Sequence, residues 1–178
     1  MAINVNGINL SSSAGTTLSI DSGATNWMSV DSNGIINRLQ KPYMRGQLVS
    51  KGAFYYTNNA NITGIGVDEN VGNCWNNTTG NFTCPIAGYY MVTIGGIAAG
   101  GGNGRGTYGY PNIRKNGGWN HFTHWNHASY WEYVNLSGIL NCAVGDTISF
   151  GIQAGNGSDA TNGWYGEGGH GCFSIGLI

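Results

Sequence analysis

The sequence predicts an all-β fold, a sandwich of short antiparallel strands, on three observations. Apolar and polar residues alternate with a period of two in several stretches, as in strands with one buried face. Turn-forming residues rich in glycine and asparagine separate these stretches. Only 8% of the 178 residues are charged, whereas exposed helix surfaces are usually rich in lysine and glutamate. In agreement with this, no stretch keeps the apolar spacing of an amphipathic helix over three turns.

Three stretches in the second half of the chain show the alternation most clearly. Their predicted inward-facing sets are Ile148, Phe150 and Ile152; Tyr90, Val92 and Ile94; and Phe173, Ile175 and Leu177. Turns are predicted at Asn6-Gly7, Asn33-Gly34, Asn116-Gly117 and Val144-Gly145-Asp146. Short strands at this spacing indicate a β-sandwich or barrel.

The composition excludes several classes of protein. Hydrophobic residues make up 40% of the chain and aromatic residues 12%, which is too much for a disordered chain. The net charge is −1, and the seven basic residues form no cluster, so phosphate-based binding of nucleic acid is not expected. No apolar stretch approaches the roughly 20 residues of a membrane span. The first residues lack the basic and apolar regions of a secretory signal, which predicts folding in a cytoplasm.

The chain divides near residue 42 into a weakly apolar leader, residues 1–42, and a domain, residues 43–178. Because the leader can bury little surface alone, we expect an extended N-terminal arm that packs on its own trimer or on a larger assembly. A flexible tail is the alternative, but the leader carries apolar residues that suit a solvated tail poorly. The predicted attachment residues are Val5, Leu10, Leu18, Ile20, Trp27, Met28, Val30, Ile35 and Ile36.

Four motifs follow one another through residues 43–178. Residues 80–90 fit the pattern G-x-F-x-x-P-x-x-G-x-Y, and residues 115–117 read K-N-G. A leucine-rich strand at 136–140 precedes V-G-D-T-I at 144–148, and C-F-S-I-G-L-I ends the sequence. In this order the motifs resemble those of the C1q/TNF-like jelly-roll domains, over about three-quarters of the chain. The resemblance implies a jelly-roll sandwich that packs as a homotrimer about a threefold axis.

The leader has a resemblance of its own. The segments MAINVNG, LSIDS and WMSVDSNG, placed before a jelly-roll, are similar to the openings of bacteriophage virion proteins, especially those of phages that infect cyanobacteria. Secreted animal C1q-like proteins carry signal peptides and often collagen repeats, in which every third residue is glycine. This sequence shows neither feature, and its 32 glycines follow no period. The resemblance therefore implies a phage virion structural protein.

An aromatic and histidine-rich stretch is the candidate surface-binding or trimer-contact loop. Aromatic rings offer stiff contact area for a sugar or a protein, although core filling and packing at the trimer axis are the preferred alternative for the cluster. The histidines are spaced by three without a helical pattern, so we expect hydrogen bonding and stacking rather than a metal site. The candidate residues are Trp119, His121, Phe122, His124, Trp125 and His127.

The remaining reactive residues do not indicate an enzyme. Cys74, Cys84, Cys142 and Cys172 contain no CxxC pair, so buried free thiols are expected rather than a zinc site. The glycine-rich stretch 100–106 lacks the lysine of a phosphate loop. Asp68 and Glu69 are a weak indication of paired carboxylates of the glycosidase type, since the chain has only eight acidic residues. We predict no cofactor.

Together these observations predict a trimeric capsid decoration or cement protein that stabilises a phage head. It would assemble in the host cytoplasm, lie on the virion surface and bind the major capsid protein or other virion proteins through residues 1–42. The alternative is a short tail fibre, spike or receptor-binding protein that recognises a host surface glycan or protein. The shortness of the chain favours decoration, whereas the aromatic stretch favours receptor binding. A polysaccharide depolymerase has no particular support.

Overall fold

A computed structural model describes residues 2–5, 8–13, 17–22, 25–30, 36–37, 41–49, 60–99, 107–123, 125–127, 131–154, 163–164 and 171–178. The chain divides into two compact units, Met1–Lys41 and Pro42–Ile178. The described residues include no helix that is long and apolar enough to cross a membrane.

The first unit contains an antiparallel sheet in which each strand pairs with the next. Its strands are β1 (Ala2–Val5), β2 (Ile8–Ser13), β3 (Thr17–Ser22), β4 (Thr25–Val30) and β5 (Ile36–Asn37). The register places Leu10 opposite Ile20, and Ile20 opposite Met28. The residues predicted to attach the arm lie in these strands, except Ile35, which lies outside the described residues. Their role in attachment stays a prediction.

The second unit consists of two antiparallel sheets. In chain order its strands are β6 (Tyr43–Leu48), β7 (Ile65–Val71), β8 (Trp75–Asn76), β9 (Asn81–Thr83), β10 (Gly88–Ala99), β11 (Thr107–Lys115), β12 (Gly118–Phe122), β13 (Trp125–His127), β14 (Trp131–Cys142), β15 (Thr147–Ala154), β16 (Gly163–Trp164) and β17 (Gly171–Leu177). The β10 sheet has the order β14-β10-β17-β6-β7, with β16 also paired to β10. The β11 sheet has the order β12-β11-β15-β9-β8, with β13 also paired to β11.

The core lies between these two sheets and follows the predicted alternation. Of the three inward-facing sets, only Leu177 is not fully buried, and it packs against the core. Phe150 of the β11 sheet meets Phe173 of the β10 sheet edge to face, with ring centroids 5.1 Å apart. Phe82 and Tyr90 make a second such contact at 5.8 Å. Aromatic contacts of this kind join the two sheets.

Two of the predicted turns have the backbone that the sequence requires. Asn116 and Gly117 both have positive φ, 51° and 79°, as in the tight turns that best connect twisted antiparallel strands. Gly145 also has positive φ, 87°. The other two predicted turns, Asn6-Gly7 and Asn33-Gly34, lie outside the described residues.

Three of the four cysteines are buried, as predicted, but Cys172 is exposed. Because Phe173 faces the core, its neighbour Cys172 faces outward on β17. The prediction of a buried thiol is therefore wrong at this position.

Candidate association surface

The outer face of the β10 sheet carries a set of exposed apolar side chains. Side chains alternate along a strand, so burial of Tyr90, Val92 and Ile94 turns the residues between them toward solvent. Tyr89 is 57% exposed and Met91 51%, and on the neighbouring strand β14 Tyr133 is 60% and Ile139 57% exposed. We call these four residues the apolar patch.

The strand register brings members of the apolar patch together. Met91 lies directly opposite Ile139, and Tyr89 lies opposite Asn141 on the same strand pair. On its other side Met91 is opposite Gly176 of β17, which has no side chain beyond the backbone. The Met91 and Ile139 side chains therefore extend from the sheet next to each other, beside a position on β17 where only backbone is present.

Tyr133 lies over a second glycine. A Cβ atom at Gly95 would come within 2.7 Å of the Tyr133 hydroxyl and 3.0 Å of the Cys172 Sγ. The Tyr133 hydroxyl and the Cys172 thiol also form a hydrogen bond of 3.5 Å. The absence of a side chain at Gly95 thus leaves room for the Tyr133 hydroxyl to reach Cys172, while the residue stays largely exposed.

Polar, uncharged residues separate the Met91–Ile139 pair from Tyr133 within the apolar patch. Thr93 and Ser137, opposite one another on β10 and β14, share a hydrogen bond of 3.1 Å. Among the described residues, the outward-facing side chains of β10, β14 and β17 carry no charge. An ion pair between Arg45 and Asp68, 3.7 Å long and well exposed, lies on β6 and β7. An uncharged apolar face of this kind is typical of a protein contact surface.

At one end of the sandwich, Asp146 joins two turns. Its carboxylate accepts hydrogen bonds from the Lys115 Nζ, the Ala143 N–H and the Asn116 Nδ2, each 2.8 Å long. The Asn116 Oδ1 in turn accepts from the Thr147 N–H at 2.8 Å. The β11–β12 turn is therefore tied to the β14–β15 turn through one carboxylate.

These contacts lower the pKa of Asp146 to about 2, and the hydrogen bond from Asn116 is the largest cause, followed by that from Lys115. Since every donor comes from the same domain, the carboxylate has a structural role. The residues involved belong to the K-N-G and G-D motifs found in the sequence.

Asp146→Asn should reduce the dependence of stability on acid pH. Because the folded-state pKa lies below the ordinary value of 3.8, ionised Asp146 stabilises the fold above about pH 4, and this contribution disappears as pH falls toward about 2. We expect the thermal midpoint of the native protein to fall more steeply over this pH range than that of the variant. Calorimetry from pH 5 to pH 2 measures both. Asp68→Asn, which removes only an exposed ion pair, is the control and should change the midpoint little.

No family model and no curated protein matches the sequence. Among solved structures, the chain is similar to the globular domain of the zebrafish complement 1qA protein. The TM-score is 0.57, and the match covers 78% of this chain and 98% of that chain, with 16% sequence identity.

The fold is a C1q-like jelly-roll.

At this identity the likeness establishes the fold alone, and the predicted jelly-roll is confirmed. The homotrimer, the arm and the phage origin stay predictions.

The predicted aromatic loop is only partly described in the C1q-like domain. Trp119 is 40% exposed, and its ring centroid lies 6.0 Å from the Arg114 guanidinium. Arg114 is held by the Asn112 Oδ1 at 2.7 Å and the Ala60 carbonyl at 3.0 Å. Burial lowers the pKa of Arg114. The anchored Arg114 guanidinium therefore packs against the Trp119 ring. This cation–π contact holds the exposed ring in one orientation, which suits a stable contact surface.

The other loop residues are placed differently from one another. His121 is half-buried and packs its imidazole against Gly138 of the opposite sheet. Phe122 ends β12, and Trp125 and His127 lie on β13, which pairs with β11. His124 lies outside the described residues. The described residues contain no cluster of histidine, cysteine or carboxylate groups that could hold a metal, so the expected lack of a metal stays a prediction.

Gly138→Ala should destabilise the C1q-like domain by about 1–3 kcal/mol, as overpacking of a core does. A Cβ atom at this position would collide with the His121 imidazole. Chemical denaturation measures the change in the free energy of unfolding. Gly118→Ala is the matched control, because its nearest neighbour would lie 3.5 Å away, an ordinary contact distance. A double variant that also carries His121→Ala should recover part of the loss; full additivity would contradict this packing account.

Sequence reasoning did not identify the apolar patch. One signal was present: Tyr89 and Met91 occupy the positions between the inward-facing residues of a predicted strand, where polar side chains are usual. Ile139 and Tyr133 gave a similar signal, but only the register shows that Ile139 lies beside Met91.

Proposed function

We propose that the C1q-like domain forms a homotrimer through the apolar patch. Four large side chains, each more than half exposed, lie on strands β10 and β14, away from the ion pair on β6 and β7, and monomeric soluble proteins rarely leave apolar patches uncovered. The described outward-facing side chains of β10, β14 and β17 offer no charged group to a charged partner. A closed ring of identical copies covers the patch in every subunit, and the sequence motifs favour a ring of three.

We propose further that this trimer is a decoration or cement protein on the outside of a phage head, with a structural rather than an enzymatic role. The leader sequence supports this assignment through its similarity to phage virion proteins. The division of the chain into two units also supports it, because one unit can bind the shell while the other projects from it. We assign attachment to residues 1–42 and name the major capsid protein as the partner.

The symmetry of the proposed assembly gives the mechanism of stabilisation. A trimer matches the local threefold positions of a capsid. Its three N-terminal units would bind three neighbouring shell subunits at once, so that separation of any two subunits breaks a contact to the same trimer. Linked attachment of this kind binds far more tightly than one unit alone.

A second candidate function rests on Trp119. Its exposed ring, supported by the Arg114 guanidinium, has the flat, stiff geometry that sugar and protein surfaces bind. In that function the chain would be a short tail fibre, spike or receptor-binding protein.

Imaging of the intact particle tests the two functions against each other. Density for this chain at threefold positions of the shell, in hundreds of copies, is expected of decoration. A few dozen copies or fewer at the tail would favour receptor binding and contradict decoration. A glycan array adds a direct test of the second function, and Trp119→Ala is the matched variant for any sugar that binds. Particles that lack the chain altogether would contradict both functions.

A further inference from the structure

Two buried cysteines lie near the same turn of the C1q-like domain, one from each sheet. Cys84 directly follows β9 of the β11 sheet, and Cys142 ends β14 of the β10 sheet. Cys84 is 0% and Cys142 2% exposed, and both belong to the core cluster between the sheets. The turn that directly follows Cys142 bonds to the backbone of Cys84, so the two cysteines are close in space although 57 residues separate them in the sequence.

The β14–β15 turn, residues 143–146, holds both cysteines in place. The Cys84 N–H donates to the Asp146 carbonyl, and the Gly145 N–H donates to the Cys84 carbonyl, both at 2.8 Å. Cys142 leads directly into the same turn, whose first N–H, that of Ala143, is bound by the Asp146 carboxylate. While the turn is intact, neither cysteine can move away from the other.

Cys74 is also buried, but its sulfur is engaged elsewhere. Its thiol lies 3.4 Å from the Gly72 carbonyl oxygen and 3.6 Å from that of Val71, both within its own turn. Among the buried cysteines, Cys142 is therefore the better placed partner for Cys84.

The surroundings keep the pair in the thiol form. Burial is the largest cause that raises the pKa of Cys84 to about 12, and the neighbouring Cys142 raises it further. Burial also raises the pKa of Cys142. Since the thiolate is the reactive form, the closed domain reacts slowly at neutral pH, and faster reaction requires higher pH or opening of the turn.

We propose that Cys84 and Cys142 are an oxidation site that closes into a disulfide and links the two sheets covalently. Hydrogen peroxide, an oxidant of nearly the size of water, converts one thiol to a sulfenic acid and releases water. The second sulfur attacks the sulfenic sulfur, an S–S bond forms as the S–O bond breaks, and the hydroxyl leaves with the remaining thiol proton as a second water. One peroxide thus oxidises two thiols to one disulfide and two waters, and a reducing cytoplasm keeps the pair open.

Closing the pair should stabilise the domain, because the crosslink restricts the unfolded chain over a long loop. We expect the thermal midpoint of the full chain to rise by roughly 5–10 °C after oxidation, since disulfides typically contribute a few kcal/mol in domains of this size. Dithiothreitol should return the midpoint to its original value.

The test treats the full chain with hydrogen peroxide at pH 7 and pH 9, folded and unfolded in guanidinium, and maps disulfides by mass spectrometry without reduction. In the folded chain we expect one dominant crosslinked peptide pair, Cys84 with Cys142, forming faster at pH 9. The unfolded chain should give mixed pairings. The same mixture from both samples, or a folded chain that pairs Cys84 with Cys74 or Cys172, would overturn the proposal.

Three variants separate the crosslink from general oxidation damage. Cys142→Ala and Cys84→Ala should each lose both the crosslink and the rise in midpoint, whereas Cys74→Ala should keep both. If neither of the first two variants folds, the rise in thermal midpoint that dithiothreitol reverses, measured in the native protein and in Cys74→Ala, still tests the proposal. An oxidised native chain with the mapped crosslink but no rise in midpoint would contradict the stabilisation proposed for this bond.

Discussion

Met91→Asp is expected to convert the proposed homotrimer into monomers. Met91 belongs to the apolar patch, opposite Ile139 on one side and Gly176 on the other, and is about half exposed in the single chain. Aspartate costs little there in a monomer, because water still reaches the position. In a trimer three carboxylates would be buried without a partner, at several kcal/mol each.

Sedimentation equilibrium measures the result against a chain mass of 18.8 kDa. The native protein should sediment as three chains and the variant as one, with circular dichroism showing the same strand content for both. Val144→Asp is the matched control, because Val144 is exposed in a turn outside the apolar patch, and this variant should remain trimeric. A Met91→Asp protein that stays trimeric would assign the interface to another face. A native protein that sediments as a monomer would refute trimer formation itself.

The β-sandwich could be predicted from the sequence because its main signal is local. Ile148, Phe150 and Ile152 alternate within one strand, and all three are fully buried. The Asn116-Gly117 turn needs only its own two residues to adopt positive φ. The exposure of Cys172 can also be predicted from the pattern. Its neighbour Phe173 is predicted to face the core, and adjacent residues face opposite sides of a sheet.

The candidate surface could not be predicted in the same way, because it depends on contacts between distant strands. Met91 and Ile139 become neighbours only through the register of β10 with β14. The polar residues Asn112 and Arg114 are another example. They alternate with the buried Ile113 and would be expected in solvent, yet both are buried, and Arg114 donates to the carbonyl of Ala60 from a remote segment. Long-range packing overrides the local pattern at such positions.

Removal of residues 1–42 is expected to leave a folded trimer that no longer attaches to phage particles. The cut falls one residue beyond the division between the two units, and every described core residue of the C1q-like domain lies after it. If attachment resides in the first unit, the truncated protein loses the contacts with the shell while it keeps the apolar patch.

Particles that lack this chain, mixed with native or truncated protein and separated by density gradient, provide the measurement. Native protein should sediment with the particles, and the truncated protein should stay at the top of the gradient as a trimer. Met91→Asp is an informative third sample. It keeps the first unit but should bind as single chains, and loss of linked attachment should weaken its binding by a factor on the order of a hundred or more. Truncated protein that still sediments with the particles would place attachment in the jelly-roll. If the Met91→Asp monomer bound the particles as tightly as the native protein, three linked units would not be needed for attachment.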